Sequence, residues 1–244
     1  MRRQFKGWGV AIFVFSAVMQ GGWADQTTPC KREIAQATST YHYINRTWPI
    51  RPRSDPIVSY IQHMGDSLLA RTRVGRQTKI HFSVIRDRSV NAYAIGGFQF
   101  FITDGAIAFA RNESELVAII AHELGHQLAR HFCTGSSSDE RDVRSSQMGL
   151  LTQIIDPEKE QEADRIALKL LRKGGYDPFS ILDVTIRLLD VNHSPHTQYP
   201  NKLTNLESLL KSEHKIQRKD SDEFVEVKNL LITEWDSSEK ASTH

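Results

Sequence analysis

Residues 116–131, LVAIIAHELGHQLARH, read as a buried helix, yet two histidines and a glutamate stand inside them. Burying ionisable groups costs several kcal/mol unless something satisfies them. His122 and His126 are four residues apart, which on a helix puts them on one face with Cβ atoms about 5–6 Å apart. Two imidazoles at that spacing can converge on one Zn²⁺. Glu123, one position on, is turned away from the pair and stands beside the open coordination position, where it can take a proton from water. Gly125 keeps the helix slim enough for another element to approach closely. This is the H-E-x-x-H pattern of zinc peptidases. The rival reading, two core histidines with a chance glutamate, is disfavoured because such residues are seldom placed in so apolar a run.

A catalytic zinc takes three protein ligands. A third histidine in the metzincin spacing would stand at position 132 after a glycine at 129, and Phe132 and Ala129 disfavour that class. His131 sits one residue off the ligand face and reads as a surface group or one that orients a ligand. The segment PEKEQEADRIALKLL (157–171) is predicted as a helix whose apolar face is Ala163, Ile166, Ala167, Leu170 and Leu171. Glu160 and Asp164 share one flank of that face, so periodicity prefers Glu160 as the third ligand with Asp164 beside it. Glu158 and Glu162 read as solvated.

The elements that must position these groups follow from pattern. An amphipathic helix is predicted over Asp55–Arg71, capped by Ser54. A strand is predicted over Lys79–Ile85, and two more in NAYAIGG and FQFFITD around a Gly96–Gly97 hairpin. A short helix over Gly105–Ala110 precedes the histidine helix, which Asn112 caps with Glu115 at its third position. After Cys133 the run CTGSSSDERDVRSS reads as a mobile polar loop. Helices follow over Pro157–Arg172, Phe179–Leu189 and Lys202–Leu210, with NHSPHTQYPN as a loop between the last two. EFVEVKNLLITEW fits helix or strand, and the tail after it reads as frayed. The order, a helix and a small sheet and then packed helices, predicts an α+β fold.

The 244 residues are enough for one well-buried domain, with 39% hydrophobic and 25% charged residues. The formal charge of +2 falls to −1 without Arg2, Arg3 and Lys6, which excludes a nucleic-acid footprint. Residues 1–24 have the basic start, apolar core and small-residue end of a secretory signal, with cleavage expected after Ala24. The apolar run is shorter than the ~20 residues a spanning helix needs, so no integral span is expected in the mature chain. Cys30 and Cys133 can pair in an oxidising compartment, closing a loop whose entropic gain is about 4.7 kcal/mol; two free thiols are the alternative. The domain expectation is a signal over 1–24, a polar leader over 25–53, the catalytic domain over 54–212, and a C-terminal segment over 213–244 with a partly disordered tail.

The stretch NAYAIGGFQFFITDGAIAFARNESELVAIIAHELGHQLARH, followed by EKEQEADRIALKLLRKGGYDP, resembles the HtpX/BepA and CAAX-prenyl-protease family of zinc metallopeptidases, on its exported, soluble bacterial branch. The family's second motif, E-x-x-A-D, maps the ligand onto Glu160 and the ligand-orienting acid onto Asp164. The resemblance implies a mostly helical zincin-like (gluzincin) fold with a small sheet over the active-site helix. Its edge strand, Asn91 to Ile95, would hold the substrate backbone through Asn91, Ala92 and Tyr93. Downstream, HTQYPNKLTNL matches the family's His-Pro and Arg-Ile-x-x-Leu spacing, with His196 in the histidine place, Thr197 for proline and Lys202 for arginine. Tyr199 or His193 are alternatives for that role. The helical repeat domain that follows in some family members is not expected in this sequence. The expected function is an exported, periplasmic zinc endopeptidase acting on unfolded or misassembled envelope proteins. The alternative is a chaperone-like binding protein with a latent or structural zinc site.

Overall fold

The computed structural model describes residues 29–75, 78–133, 156–190 and 200–242. The expected signal segment, the polar loop after Cys133, and His193, His196 and Tyr199 lie outside the described residues. Eleven elements follow in order among them: α1 (Lys31–Thr47), α2 (Pro56–Leu69), β1 (His81–Ile85), β2 (Ala92–Ala94), β3 (Gln99–Thr103), α3 (Asp104–Phe109), α4 (Glu113–Leu128), α5 (Pro157–Gly174), α6 (Ser180–Asp190), α7 (Lys202–Leu210) and α8 (Asp222–Ser242). None of these helices is long and apolar enough to cross a membrane.

The sheet is small and mixed, in the order β1-β3-β2. β1 runs parallel to β3, and β2 pairs antiparallel with β3 through a tight hairpin. Gly96 and Gly97 carry the positive φ values (86° and 58°) that this hairpin turn requires. Alternation along the strands splits the side chains into two layers. Phe82, Val84, Phe100 and Ile102 face the main core with α2 and α4. Tyr93 and Phe101 face the other way, against Ile44 of α1 and Ile85. The sheet is therefore covered on both sides, and β2 is its edge.

Three expectations are corrected. The polar leader over 25–53 contains α1, which docks through Ala37, Thr40 and Ile44. Asp55, not Ser54, caps α2, accepting the Ile57 N–H with Pro56 at the first position. The C-terminal segment is helical as far as Ser242. Ser221 accepts the Phe224 N–H at its start, and Phe224, Val227 and Leu231 enter the main core at helical spacing.

Two contacts set the position of α4. Its N-terminus is capped by Asn112, which accepts the Glu115 N–H at 2.9 Å, while the Glu115 carboxylate accepts from Arg111 instead of closing a capping box. Halfway along, a Cβ on Gly125 would stand 2.6 Å from the Ala163 carbonyl oxygen. The missing side chain lets α5 lie against α4 at the level of the histidines.

Candidate active site and metal centre

Because α4 and α5 touch at Gly125, the carboxylate of Glu160 reaches both histidines. Glu160 Oε2 is 3.2 Å from His122 Nε2 and Oε1 is 3.3 Å from His126 Nε2. The two Nε2 atoms are 3.1 Å apart. A tetrahedral zinc with arms of about 2.0–2.1 Å has edges of about 3.3 Å, so the two imidazole nitrogens, and each of them with one oxygen of the Glu160 carboxylate, stand near the spacing such an ion imposes. Among the described residues, His122, His126 and Glu160 form a group able to hold a metal, and all three are buried. The residues present fit zinc.

Each imidazole is oriented by its other nitrogen. Asp164 Oδ1 lies 2.9 Å from His122 Nδ1. That bond assigns the proton to Nδ1 and aims Nε2 at the centre. Asp164 is 1% exposed and also accepts from Lys202 Nζ at 3.0 Å. Burial opposes its ionisation, but the Lys202 charge and the His122 bond hold it down to about 2. Burial and Lys202 likewise oppose charge on His122. Its bonds to Asp164 and Glu160 outweigh them and raise its pKa to about 9.

His126 Nδ1 faces His131 Nδ1 at 2.9 Å, and His131 Nε2 faces Glu162 Oε2 at 3.3 Å. A consistent assignment is His126 Nδ1–H donating to His131, whose Nε2–H donates to Glu162. Burial pushes the His131 pKa down, which suits a neutral ring that accepts. His131 thus orients a ligand and is not a surface group. Glu162 is half exposed, as expected, but it is not a bystander. The device that folds His131 back is Arg130, whose φ of 60° ends α4 in a left-handed turn, with the His131 N–H donating to the His126 carbonyl.

Glu123 is 3% exposed and does not join the ligand group. Its Oε2 accepts the Ala94 N–H at 2.8 Å, which fixes the carboxylate between the histidines and the sheet edge. The expected substrate contacts need correction. The Asn91 carbonyl accepts from Thr103 and the Ile95 N–H donates to Gln99, so the odd-numbered residues of this strand turn their backbone groups towards β3. Tyr93 is 2% exposed and packs against Trp48 on the far face. Of Asn91, Ala92 and Tyr93, only Ala92 presents its backbone to the open edge, and the Ala94 carbonyl joins it, the Ala94 N–H being taken by Glu123.

Ala94 was not assigned from sequence, His131 was left between a surface and an orienting role, and Lys202 was read only as standing in the motif's arginine place. Ala94 acts through its backbone, which no residue type announces. His131 depends on a left-handed Arg130 where a glycine would have been the signal. Lys202 did leave a trace: a cation in the first turn of a helix opposes the macrodipole, and a residue held there needs a counter-charge. At the back of α4, Cys30 and Cys133 are joined as a disulfide with Cα atoms 5.9 Å apart, tying α1 to the turn beyond His131. Glu33 of α1, fully buried, accepts from the Gly97 N–H and Gln127 Nε2, both at 2.7 Å, bracing the hairpin against α4.

The chain is similar to known proteases. Residues 58–155 match peptidase family M48. The chain is 27% identical over 164 residues to the beta-barrel assembly-enhancing protease of Yersinia pestis, covering 56% of this chain and 34% of that protein. It is 26% identical over 198 residues to the putative beta-barrel assembly-enhancing protease of Vibrio cholerae serotype O1, covering 70% and 40%. It is also 28% identical over 145 residues to the mitochondrial metalloendopeptidase OMA1 of Schizosaccharomyces pombe, covering 52% and 42%. The chain spans well under half the length of these relatives. Over residues 58–155 the chain is thus similar to peptidase family M48, and the relatives that it matches are named as proteases and metalloendopeptidases.

Proposed function

We propose that the chain is an exported, zinc-dependent endopeptidase acting on unfolded or misassembled envelope proteins. The observation that carries this reading is the meeting of the His122, His126 and Glu160 donor atoms, 3.1–3.3 Å apart, beside a buried Glu123 and an open strand edge. Two imidazoles and one carboxylate are a donor set that suits zinc over magnesium or calcium. Zinc held there would act as a Lewis acid on water and on the scissile carbonyl.

The chain's own residues do the rest. Glu123, aimed by the Ala94 N–H, takes a proton from the attacking water and later delivers it to the leaving amine. Asp164 and His131 hold the tautomers of His122 and His126. The backbone groups of Ala92 and the carbonyl of Ala94, whose N–H is held by Glu123, receive the substrate as an added antiparallel strand. Backbone pairing accepts any extended segment, which suits unfolded protein. His196 is assigned to the developing oxyanion from its sequence place alone. The word beta-barrel in the names of the bacterial relatives, together with the signal reading of residues 1–24, supports action on β-barrel proteins in the periplasm.

The test is Glu123→Gln in zinc-loaded protein. Zinc content should stay at one per chain while cleavage of an unfolded protein falls by roughly 10²–10⁴-fold. No fragments from wild type would favour the binding-protein reading instead, and chelator-insensitive fragments would overturn the zinc mechanism.

A further inference from the structure

A second group of metal-ligating side chains lies at the back of α4. Cys30, Glu33 and Cys133 each bring one donor atom to within 4.8 Å of the others, and they share no residue with the His122, His126 and Glu160 group. With the two cysteines joined, the carboxylate between them is poorly served. Glu33 is 1% exposed. Its Oε1 accepts from the Gly97 N–H and from Gln127 Nε2. Its Oε2 faces Cys133 Sγ at 3.0 Å, and a sulfur in a disulfide has no proton to give. No N–H or O–H donor among the described residues reaches Oε2. A buried acceptor left without a donor costs free energy, so the disulfide form does not account for this oxygen. We infer that Cys30, Cys133 and Glu33 form a thiolate zinc site, which the disulfide closes and reduction opens.

The donors choose the metal. Thiolates select zinc, copper(I) or iron–sulfur clusters, and a carboxylate as third donor favours zinc among these. The cysteine Cα atoms are 5.9 Å apart, close enough for two thiolates to share one ion. Three protein donors leave the fourth tetrahedral position to water. Two thiolates and a carboxylate exceed the charge of Zn²⁺ by one, and two features offset the excess. Cys30 is the N-cap of the 17-residue α1, at the positive end of the helix dipole. Arg130 Nη2 stands 3.9 Å from Cys133 Sγ. Both cysteines are only half-buried, so a small dithiol can reach the bond. The dithiol gives two electrons and two protons to the Cys30–Cys133 bond, leaving two protein thiols and its own disulfide. Zinc then displaces both thiol protons to solvent. The ion takes over the link between α1 and the turn beyond His131.

The test uses cobalt(II) in place of zinc on the full chain. A thiolate-to-cobalt charge-transfer band requires sulfur ligands, so the histidine–glutamate group cannot produce it, whether or not the peptidase reading holds. Protein reduced with a dithiol and then freed of it under argon should develop the band and saturate it at one sulfur-bound ion per chain. Oxidised protein should show none, and Cys133→Ser should abolish it. Glu33→Gln protein that still forms the disulfide when oxidised should bind the sulfur-held cobalt more than about tenfold more weakly once reduced. As a second measurement, zinc should suppress alkylation of both thiols in the reduced wild type. A reduced chain that gives no band, or whose thiols zinc leaves unprotected, overturns the inference. So does unchanged cobalt affinity in Glu33→Gln, because two sulfurs alone would then account for the binding.

Discussion

Two largely buried ionic clusters in this molecule differ in what stands at their centres. In the first, Arg51 is wholly buried, and its guanidinium donates to Asp104 at 2.7 and 2.8 Å, to Asp55 at 2.8 Å and to Glu234 at 2.6 Å. Every carboxylate points at a cation the chain itself supplies, and the result ties α8 and the start of α2 to α3. In the second, His122, His126 and Glu160 point their acceptor atoms at one another. The chain's own cation, Lys202, stands behind them on Asp164, 3.9 Å from Glu160. The first cluster is complete as a structural joint. The second is arranged for a cation from outside, which is the mark of a site.

Breaking each cluster should therefore produce opposite phenotypes. Arg51→Met leaves Asp104 and Asp55 largely buried without their cation, beside a half-exposed Glu234, and should destabilise folding by about 3 kcal/mol, read as a lower denaturation midpoint. Zinc affinity, measured by competition with a chromophoric chelator, should stay unchanged. Glu160→Gln should do the reverse: zinc affinity falls by more than roughly 100-fold, by extension from the 10–100-fold that loss of an outer-shell partner costs, with little loss of stability in chelator. If Arg51→Met weakened zinc binding as much as Glu160→Gln does, the contrast between joint and site would be wrong.

A sharper version removes only the orienting contact. His131→Phe keeps the bulk beside His126 but deletes the acceptor for its Nδ1–H. Zinc affinity should fall about 10–100-fold. Catalytic turnover at saturating zinc should change far less, because neither Glu123 nor the strand edge touches His131. Equal affinity in wild type and variant would reduce His131 to packing.

Legibility in the sequence tracks how local each feature is. The His122–His126 pair and the Glu160–Asp164 flank are periodicities within single helices, and Gly125 already pointed to a close neighbour, which is α5. The joint around Arg51 was invisible, because Asp104 and Glu234 lie 53 and 183 residues from it. The helix α1 escaped notice since its buried set, Glu33, Ala37, Thr40 and Ile44, is half polar; it holds by docking on the sheet and by the Cys30–Cys133 link. The end of α8 looked frayed by composition, yet Arg88 bonds Glu239 and stacks 4.9 Å over Trp235. Tyr93 was placed at the substrate because strand faces were assigned without the register, and a one-residue difference turns every side chain to the other side.

The two clusters should also part company in pH dependence. Arg51 carries its charge across the accessible range, so the joint is indifferent between pH 7 and 8. His122 is not, because its folded pKa of about 9 lies above the ordinary value of 6.5. A raised histidine pKa contributes stability that is fully present below 6.5 and is lost as pH climbs through 9. In chelator, stability should thus drop by about 1 kcal/mol from pH 7 to pH 8. Zinc needs the same ring without its second proton, so apparent zinc affinity should rise nearly tenfold over that interval. Asp164, held at about 2, stays ionised throughout and contributes no slope. The proton on His122 Nε2 and the metal compete for one direction in space, and opposite slopes in the two measurements are its signature. Parallel slopes, or a flat response in chelator, would mean that the His122 ring is neutral and that the carboxylates around it do not hold a proton in the metal's place.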